Sequence, residues 1–267
     1  MELWPAFCLR QLPDFFSENI IIPAVTKFYS LTFHIFPSDY NIMSSSPIEI
    51  PSDLPVMTLR GVVLFPKAMM PLRIFEERYR QMLDEVLNTT RIFGIVCERE
   101  NVAADEIHLE HPFGVATAGL IRVSKKHDDG TSFVLLQGIK RVKIRGIKQE
   151  MPYRIIETEG MESICDDSSH QIRKQIEQAL EQNKLLGGEV TDEMLDFLNP
   201  LEDDDAFVDL AAFTLCKHTL RKQAMLEVQE LSKRANMLLS DLHRENDRLA
   251  CIKQSMKKFD EDNPSEN

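Results

Sequence analysis

The sequence lacks paired cysteines and long apolar runs. Its five cysteines are scattered, odd in number and without a C-x-x-C pair. This distribution disfavours a disulfide framework or a zinc knuckle and indicates a reducing, cytoplasmic setting. The apolar run near the start, residues 20–25, is far shorter than the roughly 20 residues that span a bilayer. We therefore expect no membrane association.

Motifs that carry catalysis are missing as well. The chain has only 10 glycines, and none forms a P-loop, a G-x-G-x-x-G or a G-x-S-x-G motif. His108 and His111 have the spacing of two metal ligands, but no third ligand lies at a suitable distance along the chain. Ser255 and Lys258 match S-x-x-K on a polar terminal helix, which favours a solvated face. We expect no enzymatic activity, no cofactor and no metal.

Positive charge is scarce, because 31 Lys and Arg stand against 43 Asp and Glu, a formal net charge of −12. This balance makes nucleic acid an unfavoured partner. The one basic strand worth testing contains Arg141, Lys143 and Arg145. Strict alternation predicts that these three cations face solvent while Val142 and Ile144 are buried. The strand lacks the interleaved aromatic residues that stack on bases.

Composition sets residues 1–43 apart from the rest. They contain 9 of the chain's 20 aromatic residues, 6 charged residues and no glycine. Their apolar positions follow neither the helical nor the strand period for long. We expect an N-terminal extension without its own core, either disordered or untranslated, with Met43 as the alternative start.

Residues 50–160 predict a small closed β-barrel with one helix. The Asp129-Gly130 step is typical of a tight hairpin. The helix is predicted over 76–87, with one apolar face formed by Tyr79, Met82, Leu83 and Val86. Strands are predicted over 56–59, 91–97, 115–123, 132–136, 141–147 and 153–158. Many short strands with one helix favour a barrel over a doubly wound sheet.

Residues 161–258 predict a helical bundle, followed by a disordered tail at 259–267. Helices are predicted over 168–186, 190–198, 203–216 and 218–258. In the last of these, apolar residues recur at intervals of three and four. This narrow stripe indicates packing within the bundle or, as the alternative, a coiled-coil dimer, so the chain is expected to be a monomer or a dimer through this helix. The fold class is thus α+β, a β pseudo-barrel followed by an α-helical bundle.

Two segments near the start of the barrel resemble the opening of the Lon protease N-terminal (substrate-recognition) domain. They are Leu54-Pro-Val-Met-Thr-Leu-Arg-Gly-Val-Val-Leu-Phe-Pro66 and Met70-Pro-Leu-Arg-Ile-Phe-Glu76. The agreement covers about residues 50–255, with a departure at Ala116, where the family commonly has glycine. Residues 75–80 look like the variant found in free-standing Lon-domain proteins. The resemblance implies a PUA-like pseudo-barrel followed by a helical bundle.

The resemblance also implies a function. It indicates a non-catalytic module that binds unfolded polypeptide segments or partner proteins, with an adaptor role in proteolysis as one version. The ATPase and Ser–Lys peptidase of full-length Lon have no counterpart in this sequence, so no catalytic residue is carried over. Met69 and Met70 are the candidate substrate-binding residues, because methionine adapts to varied side chains, although packing in the core of the barrel is the favoured explanation for both. The alternative function is an RNA-binding PUA-like domain that uses Arg141, Lys143 and Arg145.

Overall fold

The computed structural model describes residues 48–99, 111–166 and 168–262, with side chains up to 256. The chain divides between Met161 and Glu162 into two compact units. The first unit holds the strands and one helix, and the second holds the remaining helices. No helix among the described residues is long and apolar enough to cross a membrane. The expectations for residues 1–43 lie outside the described residues.

The first unit is a six-stranded mixed sheet, five strands of which close into a barrel. The neighbours run β2-β5-β4-β3-β1-β6, and an additional β5–β6 pairing closes the ring while leaving β2 outside it. β1 and β3 pair in parallel, and the other pairs are antiparallel. The elements are β1 (Asp53–Leu59), β2 (Met69–Ile74), α1 (Glu77–Leu87), β3 (Ile92–Cys97), β4 (Val115–Lys126), β5 (Ser132–Gln149) and β6 (Arg154–Met161).

The barrel has an apolar interior formed by short aliphatic side chains. Its fully enclosed residues include Leu54, Val56, Val142 and Ile156, each 0% exposed. The predicted helix is confirmed as α1, and the four residues predicted on its apolar face are its buried residues. Because that face repeats at helical spacing, α1 buries one side and leaves the other in solvent.

Residues 61–68 connect β1 to β2 by crossing the outside of β4 and β5. The hydroxyl of Thr117 on β4 donates to the carbonyl of Leu64 at 2.6 Å. Lys67 N–H donates to the carbonyl of Gly138 on β5 at 2.8 Å. A Cβ at Gly138 would lie 2.0 Å from the carbonyl oxygen of Phe65, so this close crossing requires glycine. The crossing covers part of a sheet face that would otherwise be solvated.

Two strand predictions differ from the structure. β2 was not predicted, because Pro66 and Pro71 make its surroundings look like a loop. The segments predicted at 132–136 and 141–147 are one continuous strand, β5. Its length is possible because register shifts, between Ala118 and Gly119 on β4 for example, let a long strand bend around a barrel.

The second unit consists of five helices: α2 (Ser169–Leu185), α3 (Asp192–Leu198), α4 (Asp204–Leu215), α5 (Thr219–Glu227) and α6 (Leu231–Asp262). Thr191 and Asp203 cap α3 and α4 by accepting backbone N–H bonds. After α2, Gly187 has a φ of +79°, the left-handed conformation that favours glycine at a helix end. Residues 259–262, predicted as tail, belong to α6, and 263–267 lie outside the described residues.

The single long helix predicted over 218–258 is wrong, because residues 228–230 separate α5 from α6. The Leu231 N–H donates to the carbonyl of Ile164 at 2.9 Å, and the Ile164 N–H donates to the carbonyl of Gln229 at 2.9 Å. The Arg234 guanidinium donates to the carbonyls of Val228 and Gln229 at 2.7 and 3.2 Å. These partners replace helical hydrogen bonds, so the chain breaks without proline or glycine.

Arg234 is the polar centre of the second unit. It is 0% exposed and forms ion pairs with Asp209 at 3.1 Å and with Asp205. A second polar tie joins α2 to α6, where the Asn183 amide donates to Asn246 at 2.8 Å and the Asn246 amide donates to a carbonyl of α2 at 2.8 Å. Buried polar groups need such partners, so these contacts fix how the helices pair.

Candidate functional site

The two candidate methionines are packed inside the barrel unit. Met69 and Met70 lie on β2 opposite Gln137 and Leu136 of β5. Their exposed fractions are 9% and 3%, and Met69 packs with Leu135. A buried thioether offers no surface to a partner unless the edge strand moves. Their role in binding therefore remains a prediction, and the observed packing is the simpler role.

The outer edge of β2 is poorly suited to adding another strand. Gly138 N–H donates to the carbonyl of Ala68. The antiparallel alternation then directs the backbone N–H and C=O groups of Met70 and Leu72 toward β5. Pro71 consequently faces the outer edge and has no N–H to donate there. Proline and charged residues are typical of protected edge strands. Polypeptide recognition through a new backbone ladder is thus disfavoured at β2.

The basic strand does not present three cations to solvent, and the expectation for Arg141 is wrong. Val142 is 0% exposed as predicted, but Arg141 is also buried, at 2%. Arg141 pairs with Thr117, so both side chains lie on the barrel's outer face. The 61–68 crossing covers that face, and the Arg141 guanidinium lies 5.9 Å from the Phe65 ring centre. A two-residue period cannot reveal that both faces of a strand are covered.

The remaining cations of this strand are exposed beside carboxylates. Lys143 lies opposite Glu159 in the strand register, and Arg145 forms an ion pair with the same Glu159. Lys148 is ion-paired with Asp53 at 2.5 Å. Phosphate binding would have to compete with these carboxylates, so the strand is a weak nucleic-acid surface.

An open groove of about 590 Å³ lies between α1 and the β4–β5 hairpin. It has the volume of a small-ligand site but is open along its length. The described residues that line it are Glu77, Arg80, Gln81, Asp84, Glu85, Asn88, Lys126, Gly130 and Ser132. Phe75 is a sequence neighbour of this lining, because it follows Ile74, whose strand partner is Ser132, and lies two residues before Glu77. Its side chain is 60% exposed, whereas the other Phe and Tyr side chains of the described residues are buried or half-buried.

Four of the five charged residues that line the groove form ion pairs with each other. Glu77 is ion-paired with Arg80, and Asp84 with Lys126 at 3.5 Å. Glu85 accepts the hydroxyl of Tyr153. Burial, together with that hydrogen bond to a carboxylate, raises the pKa of Tyr153 to about 12. One net negative charge remains in the groove, on Glu85, so a ligand needs little compensating charge here.

Phe75 was not singled out by the sequence, although a signal was available. Along β2 the exposed residue Arg73 alternates with buried Leu72 and Ile74, so the next outward position is Phe75. That alternation becomes visible only once residues 69–74 are recognised as a strand. The tight turn at Gly130, with a φ of +82°, then brings the hairpin beside α1.

Catalytic and metal-binding candidates gain no support from the described residues. His108 lies outside them, and no group of three His, Cys, Asp or Glu within them is placed to hold a metal ion. The Ser255 hydroxyl donates to the carbonyl of Cys251 one turn earlier, an ordinary interaction of a solvated helix. The candidate site considered below is the surface formed by Phe75 and the polar groove.

Comparison with known proteins agrees with this architecture. The model of the ATP-dependent protease La (LON) substrate-binding domain matches residues 53–244. The chain belongs to the Lon substrate-binding domain family. The matched region includes the groove, both candidate methionines and the basic strand.

The relatives place the Lon domain within much longer proteins. The Lon proteases of Escherichia coli K12 and Clostridioides difficile 630 are each 27% identical, over 204 and 218 residues. These stretches are 75% and 79% of this chain but 26% and 28% of the relatives. The chain thus spans about a quarter of the length of the Lon proteases it matches.

Solved structures confirm the fold. The N-terminal domain of Mycobacterium avium complex Lon protease has a TM-score of 0.56 at 15% identity and covers 72% of this chain and 98% of that chain. A Lon N-terminal domain protein from Xanthomonas campestris has a TM-score of 0.50 at 20% identity and covers 71% and 98%. The α+β fold predicted from the sequence is that of Lon N-terminal domains.

Proposed function

We propose that this protein binds unfolded polypeptide segments or partner proteins without catalysing a reaction, and that Phe75 and the groove beside α1 form the binding surface. The observation that carries the proposal is the 60% exposure of Phe75, which lies two residues before Glu77 in the lining of an open groove. An exposed aromatic ring supplies apolar area, and the polar groove tolerates sequence variation. Membership of a substrate-binding family supports the same class of function.

The test compares Phe75→Ala with Leu220→Ala, a control on α5 whose side chain is 59% exposed. Full burial of a large apolar side chain contributes about 1.5–3 kcal/mol, and roughly half of that is available at Phe75. We expect Phe75→Ala to weaken binding of a reduced, carboxymethylated model protein about five-fold to ten-fold. Leu220→Ala should bind like the parent. Equal affinities for the parent and Phe75→Ala would contradict the proposed surface.

The finer part of the proposal is an adaptor role in proteolysis in the cytoplasm. The chain should hydrolyse neither ATP nor casein by itself, because neither a P-loop nor an activated nucleophile is recognisable. Adding it to a full-length Lon protease should accelerate degradation of the bound model protein. An unchanged rate would contradict the adaptor role and leave polypeptide binding standing.

RNA binding by the basic strand is the competing function, and the buried Arg141 changes how it is tested. Substituting Arg141 would disturb packing, so the useful variant is Lys143→Glu with Arg145→Glu. We expect this double variant to bind the unfolded protein like the parent. Tight RNA binding by the parent, lost in the variant with a log–log salt slope of roughly −0.7 to −0.9 per phosphate, would favour the RNA function instead.

A further inference from the structure

The last turns of α6 have an exposed apolar stripe. Ile252 and Met256 are 41% and 65% exposed, and Leu185 at the end of α2 is 75% exposed. Lys253 donates to the carbonyl of Leu185 at 3.2 Å, so α2 ends beside this point of α6. α6 continues to Asp262, which adds about 14 Å at roughly 1.5 Å per residue.

The exposed stripe continues a heptad that the bundle uses internally. The first d, a, d and a positions of this heptad are occupied in that order by Leu231, Ala235, Leu238 and Leu242. All four side chains are buried. After Glu245, the same register continues at Leu249, Ile252 and Met256, and the sequence extends it to Phe259. Sustained a and d apolar residues are the pattern by which one helix packs against another.

We propose that this stripe, residues 249–259, pairs with the same stripe of a second copy of this chain in antiparallel orientation. In the register that matches a with d positions, Ile252 lies level with Met256 of the other copy, and Leu249 lies level with its position 259. Four apolar layers result. This proposal is independent of the polypeptide-binding function.

Charge selects the antiparallel orientation. In a parallel pair, the g and e positions would bring Arg248 of one copy, which is ion-paired with its own Glu245 at 2.7 Å, against Lys253 of the other, and this contact between like charges would occur twice. In the antiparallel pair, Arg248 lies level with the acidic run at positions 260–262. The two copies of Lys253 are the like charges nearest the two-fold axis of the antiparallel pair. Each Lys253 already donates a hydrogen bond to the carbonyl of Leu185 in its own chain.

The first experiment measures the mass of the full chain by sedimentation over a concentration series. We expect a monomer–dimer equilibrium that Ile252→Glu abolishes and that Leu220→Glu, an exposed control on α5, leaves unchanged. A monomer at every concentration would overturn the proposal. If the parent chain is a monomer and the Ile252→Glu variant no longer binds the model polypeptide, the stripe is a polypeptide-binding site instead.

The second experiment determines orientation by disulfide cross-linking. Ile252→Cys and Met256→Cys are made separately in a chain in which Cys8, Cys165 and Cys251 are replaced by serine, so that only the buried Cys97 and Cys216 remain. An antiparallel pair predicts that mixing the two variants yields the 252–256 disulfide, with little product from either variant alone. Disulfides within each separate variant would show parallel pairing and overturn the proposed orientation.

Discussion

The two units of this protein join their elements by different kinds of bonds. In the barrel, neighbouring elements share backbone ladders, such as the register from Met69 to Ile74 against β5. Helices satisfy their backbone internally, so the second unit depends on side chains such as Arg234, Asn183 and Asn246. A single side chain therefore determines more of the helical arrangement than of the barrel.

The sharpest test of this difference is Arg234→Met. Removing the buried guanidinium leaves Asp209, which is 1% exposed, without its cation. Loss of one partner of a buried ion pair costs about 3–5 kcal/mol. We expect a matching fall in unfolding free energy, with hydrogen-exchange protection lost within residues 162–262 and retained in the barrel.

The matched control is Arg244→Met, because Arg244 is 72% exposed and pairs with Asp241 on the helix surface. Surface pairs contribute about 0–1 kcal/mol. If the two variants lose the same unfolding free energy, buried side-chain ion pairs do not determine the stability of the helical unit.

A large effect in the barrel should require loss of core volume. Met70→Ala removes a side chain that is 3% exposed, and such substitutions cost about 2–5 kcal/mol. We expect the loss of protection to be confined to residues 48–161. If Met70→Ala instead leaves stability unchanged and weakens polypeptide binding, Met70 is a binding residue.

The crossing over the barrel gives a smaller, local test. Gly138→Ala would place a Cβ 2.0 Å from the Phe65 carbonyl, and overpacking of this kind costs about 1–3 kcal/mol. Gly146→Ala on the same strand is the control, since its Cβ would meet only the Glu157 carboxylate at 3.7 Å. Equal melting temperatures for the two variants would show that the crossing moves easily.

The smallest expected effect is a pH dependence at Tyr153. Its pKa is about 12 in the folded protein and about 10 when unfolded, so the folded state holds the proton more tightly between these values. Stability should fall as pH rises from about 10 to 12. Tyr153→Phe should lack this decline when urea unfolding is measured across that range, whereas a parallel decline would assign it to other groups.

Local sequence patterns were sufficient to predict which residues are buried where only one face of a helix or strand packs against a core. The buried face of α1 and the interior position of Val142 both follow from periodicity, and both are present. The α+β fold was likewise predictable, because the strand-like segments, which contain most of the glycines, and the helical segments occupy separate parts of the chain.

Long-range contacts account for the rest. Arg141 is buried because residues 61–68 cross over it, and the chain breaks after α5 because Arg234 and Ile164 bind the carbonyls of residues 228 and 229 and the N–H of Leu231. Residues 61–68 and Ile164 are far in sequence from the elements they change, whereas Arg234 is only five to six residues from the carbonyls it binds. The exposure of Phe75 was missed for the same reason, since its neighbours are defined only by the β2–β5 pairing.

Pro71 has a consequence for the way in which a polypeptide would be held under the proposed function. Because the outer edge of β2 lacks an N–H at Pro71, a backbone ladder to a guest segment would be interrupted there, and no alignment with the sheet would be strongly preferred. The guest would then be retained mainly by side-chain contacts, such as those of Phe75, which one guest residue can exchange for another. An interrupted edge of this kind is also unsuited to templating β-aggregation of the guest.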